Sequence, residues 1–249
     1  MRSESPRGSL SGRHIVITGA ARGLGAVLAK AAAEADACLT LADIAEEEGR
    51  AVAKDLGAAF HPVDLGDPDS ITALASSVAG PVHGLVNNGA IATGIGGIGF
   101  EDVEIETWDR VMRVNVRGTW LAIRALTPAL RASGSGRIVN VASDTALWGA
   151  PNLISYTASK GAVISMTRSL SRELGADRIG ITAIAPGILT TESTEYVPEA
   201  RHQQYESGRA IQGPQPPEDV APTVIFLLSE GALTLTGQVL PVNRGFVFT

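Results

Sequence analysis

The chain reads HIVITGAARGLGAVLAK over residues 14–30. Its first part is mostly β-branched and predicts a strand, whereas residues 26–30 begin a helical pattern. Between them stand Gly19, Gly23 and Gly25, which let the backbone approach a phosphate beside the free N–H groups at the start of a helix. A tight turn with close helix packing would use the same glycines, but their position directly after a strand favours nucleotide binding.

A second predicted strand, residues 38–42, ends at Asp43, 18 residues past Gly25. An acidic residue near this offset accepts hydrogen bonds from the adenosine ribose and repels a 2′-phosphate, which favours NAD over NADP. Arg22 argues the other way, because a guanidinium in the glycine loop can pair with a phosphate, although it can also cover the adenosine or face solvent. We expect NAD, with NADP as the alternative.

The rest of the chain alternates between strand and helix patterns. Further strands are predicted at residues 59–63, 82–86, 137–142, 180–185 and 237–242, and helices at 106–131, from Tyr156 through Leu174, and at 218–228. Such alternation is typical of a parallel sheet covered on both faces. No repeat or linker divides residues 1–249, so we predict a single α/β domain with a Rossmann-type doubly wound sheet of seven mainly parallel strands.

Composition argues against several kinds of partner. The net charge is −6 and only three lysines occur, so neither a nucleic-acid surface nor a polybasic membrane patch is expected. No apolar run is long enough to span a bilayer, and residues 1–11 resemble a frayed polar lead-in rather than a signal peptide, so a cytoplasmic location is expected. The four histidines lack metal-ligand spacing, so no metal site is expected, and Cys38, the single cysteine, should be a buried, inert thiol.

Tyr156 and Lys160 stand four positions apart in a predicted helix, so both can address one small volume. A free tyrosine has a pKa near ~10, and a neighbouring ammonium favours the phenolate, which makes the phenol a usable general base. An ordinary pair on a helix face is the alternative. The scarcity of lysine weakens that alternative, and the motifs elsewhere in the chain distinguish a catalytic pair from an ordinary one.

Polar residues follow several predicted strands, at the edge where open α/β sheets bind ligands. Asp64 could accept the adenine amino group or cap the helix that begins near Asp67, and Asn88 follows the fourth strand. Asn115 lies within the apolar pattern of the long helix, where a structural hydrogen bond and a catalytic one are equally open. The segment 188–213 is long and polar, which is typical of a mobile lid over a substrate.

Taken together, these residues resemble the short-chain dehydrogenase/reductase family, in its subgroup of about this length, over essentially the whole chain from His14 to Val242. Each motif is weak alone, but their order and spacing make the joint match specific. The motifs are Thr18-Gly19-x-x-x-Gly23-x-Gly25, Asp64, Asn87-Asn88-Gly89, Asn115, Ser143, Tyr156-x-x-x-Lys160 and Pro186-Gly187 followed by Thr190.

The resemblance implies a catalytic tetrad of Asn115, Ser143, Tyr156 and Lys160. Tyr156 would exchange a proton with the substrate oxygen while a hydride passes to or from the nicotinamide, and Ser143 would hydrogen-bond the same oxygen. Lys160 would hold the nicotinamide ribose and lower the pKa of Tyr156. Asn115 would anchor a water that relays the proton to solvent.

The resemblance also implies where a dinucleotide binds. The glycine loop would take the pyrophosphate, Asp43 and Ile44 the adenosine ribose, and Asp64 with Leu65 the adenine. In full, the implied cofactor contacts are Gly19, Arg22, Gly23, Leu24, Gly25, Asp43, Ile44, Asp64, Leu65, Asn88, Gly89, Ala90, Tyr156, Lys160, Pro186, Gly187, Ile188 and Thr190. Related proteins are commonly tetramers or dimers, so a homotetramer or homodimer is expected.

Two stretches depart from the family pattern. Asn87-Asn88-Gly89-Ala90 stands where Asn-Asn-Ala-Gly is usual, and Asn243-Arg244-Gly245 stands where Asp-Gly-Gly is usual. The apolar tail that follows, residues 246–248, is expected at a subunit contact rather than in a neighbour's active site.

We therefore expect an oxidoreductase that transfers a hydride between NAD and a mostly apolar secondary alcohol or ketone. Its substrate pocket is predicted to be lined by Ser143, Tyr156, Ile95, Trp148, Asn152, Leu189 and Tyr196, although Trp148 could instead belong to the core. An NADPH-dependent reductase of carbonyl or 3-ketoacyl compounds is the first alternative. A non-enzymatic nucleotide-binding sensor is the last, because it predicts a broken tetrad and all four positions are filled.

Overall fold

The computed structural model describes residues 9–249, which form one seven-stranded sheet with all neighbouring strands parallel. The strands are β1 (His14–Thr18), β2 (Cys38–Asp43), β3 (Ala59–Pro62), β4 (Gly84–Asn87), β5 (Arg137–Val141), β6 (Gly180–Pro186) and β7 (Val239–Val242). Their order in the sheet is β3-β2-β1-β4-β5-β6-β7. The predicted Rossmann-type doubly wound sheet is confirmed.

Helices cover both faces of this sheet. They are α1 (Gly23–Glu34), α2 (Glu46–Leu56), α3 (Pro68–Ser77), α4 (Ile105–Val111), α5 (Thr119–Ala132), α6 (Thr145–Trp148), α7 (Ile154–Leu174), α8 (Glu199–Gly208) and α9 (Ala221–Leu228). Alternate side chains of a strand point to opposite faces. Ile15 and Ile17 accordingly pack in one apolar cluster with Leu28 of α1, whereas Val16 packs in another with Leu126 of α5.

The long helix predicted over 106–131 is present but is not uniform, because a π-helical turn, Met112–Gly118, joins α4 to α5. Two segments predicted as irregular contain helices. The short α6 lies within the predicted loop 144–152, and α8 lies within the predicted lid 188–213. Such short helices depend on tertiary packing rather than on a long periodic pattern, so the sequence does not reveal them.

The amino-terminal edge of the sheet differs from expectation in two places. Residues 1–8 of the expected lead-in lie outside the described residues, but Leu10 is fully buried and its N–H donates to Ala35 O at 2.9 Å. The chain is therefore anchored in the core from Leu10 onwards. Cys38 is exposed rather than buried, because it is the first residue of β2 and lies at the rim of the sheet. Within residues 9–249 no helix is both long and apolar enough to cross a membrane.

The strand order reverses where β1 lies next to β4, so the two halves of the sheet diverge at this point. In open α/β sheets, ligands bind outside the carboxyl ends of the strands at such a switch point. Gly19 and Asn88 directly follow β1 and β4 there, and Ser143 follows β5 on the neighbouring strand. The topology thus gathers the predicted site residues at one edge.

Candidate active site

A cleft of about 1090 Å³ opens at the carboxyl end of the sheet. Its wall includes the predicted cofactor contacts Gly19, Arg22, Gly23, Leu24, Gly25, Asp43, Ile44, Asp64, Leu65, Asn88, Gly89, Ala90, Pro186, Gly187 and Ile188. Ser143, Tyr156 and Lys160 line the same cleft. The structure therefore brings the glycine loop and three members of the predicted tetrad to a single cavity.

The glycine loop packs backbone against backbone on the turn that follows β4. Gly19 has a φ of +66°, and a Cβ there would lie 2.5 Å from Gly89 Cα. A Cβ at Gly25 would lie 1.8 Å from the carbonyl oxygen of Gly19. Asn88 fixes this contact, because its Nδ2 donates to Gly19 O at 2.8 Å and to Thr18 O at 3.2 Å. Positions 19 and 25 therefore require glycine.

Gly89, which stands where the family usually has alanine, still makes ordered backbone contacts. The N–H groups of Asn88 and Gly89 both donate to Thr18 Oγ1 at 3.2 Å. A Cβ at Gly89 would lie 2.7 Å from Leu65 Cδ1, so the glycine makes room for this leucine.

The start of α1 and the end of β2 fit a dinucleotide. Arg22 is the N-cap residue of α1, and its side chain does not bond to the helix N–H groups. These groups can therefore donate to a pyrophosphate at the positive end of the helix dipole. Asp43 Oδ2 accepts from Ala21 N and Oδ1 from Ala45 N, both at 2.9 Å. A carboxylate accepts about four hydrogen bonds, so this fixed carboxylate can still accept from ribose hydroxyls.

Asp64 is not the cap of α3. Asp67 has that position, and its side chain accepts from Asp69 N at 3.0 Å. Asp64 Oδ1 instead accepts from Gly66 N at 2.7 Å. Because the capping alternative fails and Asp64 lines the cleft, the adenine contact stays as the prediction for this residue.

Tyr156 and Lys160 lie one turn apart on α7, as predicted. Lys160 is buried, its Nζ donates to Val141 O at 2.7 Å, and this nitrogen lies 5.5 Å from the centre of the Tyr156 ring. The Tyr156 phenol faces Ser143, whose hydroxyl acts to lower the pKa of this phenol. The three side chains thus form one polar wall of the cleft.

Burial dominates the pKa values of this pair. The sequence predicts that Lys160 lowers the pKa of Tyr156, and that effect stays a prediction. Burial raises the pKa of Tyr156 to about 12, and the neighbouring Ser143 hydroxyl only partly opposes the rise. Burial also lowers the pKa of Lys160 to about 8. A dry site disfavours both charged forms, and the Lys160 ammonium is directed at the Val141 carbonyl. At neutral pH Tyr156 is protonated and Lys160 is still mainly charged.

Asn115 lies in the π-helical turn and is 1% exposed. Its Oδ1 accepts from Ile91 N at 2.7 Å, and its Nδ2 donates to Ile91 O at 3.0 Å and to Ser159 Oγ at 3.1 Å. Ser159 Oγ in turn donates to Tyr156 O at 2.7 Å. Asn115 therefore ties the segment after β4 to the turn of α7 that carries Tyr156. This supports the structural role, and the water-anchoring role stays a prediction.

The substrate end of the cleft differs from the predicted lining at two positions. The predicted residues that do line the cleft are Ser143, Tyr156, Asn152, Leu189 and Tyr196. Ile95 and Trp148 lie outside it. Ile95 is 4% exposed and faces the interior, and Trp148 packs edge-on against Tyr205 and Phe246. Both large apolar side chains are used for packing, so Trp148 belongs to the core rather than to the substrate pocket.

Thr190, a predicted cofactor contact, turns away from the cleft. Its N–H and its hydroxyl donate to Gln215 O at 2.9 Å and 3.3 Å. The next residue, Thr191, lines the cleft instead. The chain turns tightly here, because Thr191 N donates to Leu189 O at 3.0 Å, and this turn directs the two neighbouring side chains to different sides.

Sequence reasoning misses several polar and charged cleft residues, namely Arg110, Arg113, Asp144, Glu192, Thr194, Arg201, Gln204 and Tyr205. Asp144 and Tyr205 form a hydrogen bond of 2.7 Å although they are 61 positions apart. No periodic pattern relates such distant residues. The only available signal is that Asp144 directly follows Ser143.

The carboxyl-terminal tail packs against α8 of its own chain. The Phe246 ring stacks on Tyr205 with ring centres 4.1 Å apart, and Asn243 Nδ2 donates to Asp144 Oδ2 at 3.2 Å. Phe246 is therefore an intrachain packing residue that keeps part of its surface exposed, and the expected subunit contact of the tail stays a prediction. Phe248 is 80% exposed and retains the surface that such a contact requires.

The doubly wound sheet and the cleft at its switch point place the protein in the class of Rossmann-type folds, which bind dinucleotides at this edge. The family model described as "Enoyl-(Acyl carrier protein) reductase" matches residues 19–247. A 3-alpha-(or 20-beta)-hydroxysteroid dehydrogenase of Mycobacterium tuberculosis is 36% identical over 245 residues, which cover 96% of this chain and 91% of the relative. A 3-oxoacyl-[acyl-carrier-protein] reductase of Thermotoga maritima is 31% identical over 246 residues, which cover 96% of this chain and 99% of the relative.

A solved structure is similar over the same length. It is described as that of a candidate NAD(P)-dependent gluconate 5-dehydrogenase from Beutenbergia cavernae with NADP bound at low occupancy, and it has a TM-score of 0.88 and 32% identity over 97% of this chain and 99% of that chain. The protein described here belongs to the short-chain dehydrogenase/reductase family. It is an oxidoreductase of secondary alcohols or ketones.

Proposed function

We propose that the protein is an NAD-dependent dehydrogenase that interconverts a mainly apolar secondary alcohol and its ketone. One observation carries the proposal: Ser143, Tyr156 and Lys160 lie along the same cleft as the glycine loop. A dinucleotide laid along this cleft from the start of α1 would reach the polar wall with its nicotinamide end.

Tyr156 exchanges the proton of the reacting oxygen. Because burial raises the pKa of Tyr156 to about 12, the phenol holds its proton at neutral pH and can donate it to a carbonyl oxygen as the ketone is reduced. In the oxidation direction the phenol must first lose that proton. A dinucleotide held in the cleft would supply the hydride chemistry, as acceptor in the oxidation direction and as donor in the reduction direction.

Ser143 is oriented to donate to the same oxygen. The N–H and the hydroxyl of Thr145 both direct hydrogens at Ser143 Oγ, at 3.3 Å and 3.0 Å. With its acceptor sites taken in this way, the hydroxyl of Ser143 is free to donate its own hydrogen into the cleft. Such a fixed donor stabilises charge that develops on the substrate oxygen.

Lys160 holds the ribose that carries the nicotinamide. An ammonium has three donors, and one of those of Lys160 is used by the Val141 carbonyl. The remaining donors can bind ribose hydroxyls in the cleft. Asn115 keeps this arrangement in place through its bonds to Ile91 and Ser159.

The substrate end supports an apolar ligand. Beside Tyr156 the cleft is lined by Leu153, Leu189, Tyr196 and Val197. Burial of the apolar surface of a ligand against such walls is favourable by roughly 25 cal/mol per Å². Hydroxysteroids, the substrates named for the mycobacterial relative, belong in the first substrate panel, next to smaller cyclic and acyclic secondary alcohols.

The first prediction tests the chemistry directly. Replacing Tyr156 by Phe removes only the hydroxyl, so kcat/KM on the best alcohol of the panel should fall by about a hundredfold to ten-thousandfold, the usual contribution of a general acid or base. The rate is followed as NADH formation. Binding of NADH, followed by its fluorescence, serves as the control and should stay within about threefold, since the phenyl ring remains. Turnover near the wild-type rate would refute the assigned chemistry.

An NADPH-dependent reductase of carbonyl or 3-ketoacyl compounds is the second candidate. Arg22 favours it, because this arginine is exposed and lines the cleft where a 2′-phosphate would lie next to Asp43. The relative from Thermotoga maritima is named as a 3-oxoacyl-[acyl-carrier-protein] reductase, which acts on this class of compound. Dissociation constants of NADH and NADPH, measured side by side, separate the two candidates.

We also propose that the chain assembles as a homotetramer or homodimer. Exposed apolar side chains support this, because Phe100, Ile105 and Ile154 are 74%, 72% and 42% exposed and surround one hollow with Trp108. Contiguous apolar surface of this kind marks interaction sites. Light scattering on the eluting protein tests the proposal, and a monomer at all concentrations would contradict it.

A further inference from the structure

Asp144 is a fully buried carboxylate that directly follows Ser143. Its Oδ1 accepts from the hydroxyl of Tyr205, on α8, at 2.7 Å. Its Oδ2 accepts from Nδ2 of Asn243, which follows β7, at 3.2 Å. We call Asp144, Tyr205 and Asn243 the latch. It joins three segments that are far apart in the chain: the loop that carries Ser143, the lid, and the carboxyl-terminal tail.

The loop on one side of the latch is rigid. Asp144 N donates to Pro186 O at 3.0 Å, and Asp144 O accepts from Leu147 N and Trp148 N of α6. Thr145, the next residue, bonds to Ser143 Oγ through both its N–H and its hydroxyl. A displacement of Asp144 would therefore move the hydroxyl of Ser143 with it.

The lid on the other side is held at both of its ends. The buried Arg209 donates through Nη1 to Gly213 O and through Nη2 to Ile188 O, each at 2.6 Å. Tyr205 is held between neighbours, since Trp148 Nε1 donates to its hydroxyl at 3.0 Å and Phe246 stacks on its ring. These contacts with Trp148 and Phe246 hold the Tyr205 ring so that its hydroxyl faces Asp144.

Asn243 cannot reverse its side-chain amide. Its Oδ1 accepts from Gly245 N at 3.2 Å and from Phe246 N at 3.3 Å, which fixes Nδ2 as the group that faces Asp144. The site is therefore built for an acceptor at residue 144 and a donor at residue 243. An amide at both positions would leave a donor unpaired, and a carboxylate at both would bring two negative charges together.

From these contacts we propose that Asp144 is a positioning residue, which couples the closed position of the lid to the placement of Ser143. When Tyr205 is seated on Asp144, α8 covers the substrate end of the cleft and the Ser143 hydroxyl is fixed. When the contact breaks, the lid loosens and Ser143 loses its support. The inference rests on the proposed function, in which Ser143 binds the reacting oxygen.

The exchange of the two latch residues tests this directly. Asp144→Asn and Asn243→Asp are made singly and together. In the double variant the amide at 144 can accept from Tyr205 and donate to the carboxylate at 243, which still accepts from the backbone N–H groups of Gly245 and Phe246. The matched control is Asp55→Asn, on the exposed surface of α2, which changes the same chemical group away from the cleft.

Each single variant should lower kcat/KM about tenfold or more, through a raised KM as well as a lowered kcat. Asp144→Asn leaves a buried donor unpaired, and Asn243→Asp buries two like charges side by side. The double variant should recover to within about threefold of wild type, and Asp55→Asn should match wild type. Loss of folded protein alone would lower kcat at unchanged KM, so a raised KM in the folded fraction separates positioning from simple instability. Single variants with normal kinetics, or a double variant worse than both singles, would overturn the proposal.

Hydrogen exchange keeps the test valid if the single variants fold poorly. Tyr205→Phe preserves the stack on Phe246 and removes only the hydroxyl, so amides 199–208 should exchange about tenfold faster than in wild type. Unchanged exchange would overturn the latch. This measurement needs no substrate, so it separates the two ideas: inactivity of wild type across the substrate panel refutes the proposed function, whereas unchanged exchange refutes the latch.

Discussion

At the scale of single residues, the proposed preference for NAD is tested most directly at Asp43. Its carboxylate is fixed by two backbone N–H groups at the cleft wall, whereas Arg22 is exposed beside it. Asp43→Ser should weaken NADH binding and strengthen NADPH binding, because the acceptor for ribose hydroxyls and the repulsion of a 2′-phosphate are lost together. The ratio of the two dissociation constants should shift toward NADPH by about tenfold or more.

Fluorescence titration with both reduced cofactors measures this ratio. Arg22→Ala is the matched variant, since it removes the opposite charge from the same loop and should weaken NADPH more than NADH. An unchanged ratio in Asp43→Ser would show that this carboxylate does not select the cofactor.

For single residues, the sequence predicts which neighbouring side chains lie together better than it predicts how deeply each is buried. The spacing of Tyr156 and Lys160 places both on one wall because helix geometry is local. The direction of their pKa shifts is not local, since burial by distant segments decides it. The burial predicted for Cys38 and the pocket position predicted for Trp148 are wrong for the same reason. Cys38 lies at the rim of the sheet, and Trp148 is enclosed by Tyr205 and the carboxyl-terminal tail.

Among the structural elements, the glycine loop offers a matched pair of substitutions. Gly25→Ala should abolish cofactor binding and destabilise the fold, because its Cβ would lie 1.8 Å from the carbonyl oxygen of Gly19. Gly89→Ala should be milder, because its Cβ would meet the end of the flexible Leu65 side chain at 2.7 Å and Gly19 N only at 3.2 Å. Melting temperature and NADH affinity measure both effects. Equal losses in the two variants would contradict the proposed packing of the loop.

Elements with a strong local pattern were predictable, and those set by contacts were not. The apolar run of β1 followed by Gly19 predicts the strand and the turn, and α7 follows from its spacing. The π-helical turn around Asn115, the short α6 and the lid helix α8 have weak local signals. Their conformations depend on partners such as Ile91, Asp144 and Phe246, which the chain brings near only when it is folded.

For the whole molecule, Asp144 predicts how stability depends on pH. Burial raises its pKa from 3.8 to about 6, against the opposing hydrogen bonds of Tyr205, Asn243 and Thr145 N and the charge of Arg209. Between these pH values the folded chain binds more protons than the unfolded chain, so the free energy of unfolding falls as pH rises from about 4 to about 6. A shift of this size corresponds to about 3 kcal/mol.

Urea unfolding of wild type and Asp144→Asn at several pH values measures this contribution. The difference in unfolding free energy between the two proteins should change by about 3 kcal/mol across the interval, since the amide does not titrate. His14 and His83, whose pKa values are lowered by burial, are present in both proteins and cancel in the difference. A constant difference would mean that Asp144 does not titrate in this range.

The arrangement of the sheet as a whole was predictable because alternating strands and helices leave few topologies. The anchorage of the lid could not be predicted in this way, because it depends on contacts of Arg209, Tyr205 and Asn243 that form only in the folded chain. Arg209 bonds to the carbonyl oxygens of both Ile188 and Gly213, so the two ends of the lid are held at fixed positions. The segment between them can therefore vary in sequence without moving its ends. Grafting a foreign sequence of equal length between Thr190 and Gln204 should redirect substrate preference while leaving the hydride-transfer machinery intact, a route by which one scaffold can diversify without being rebuilt.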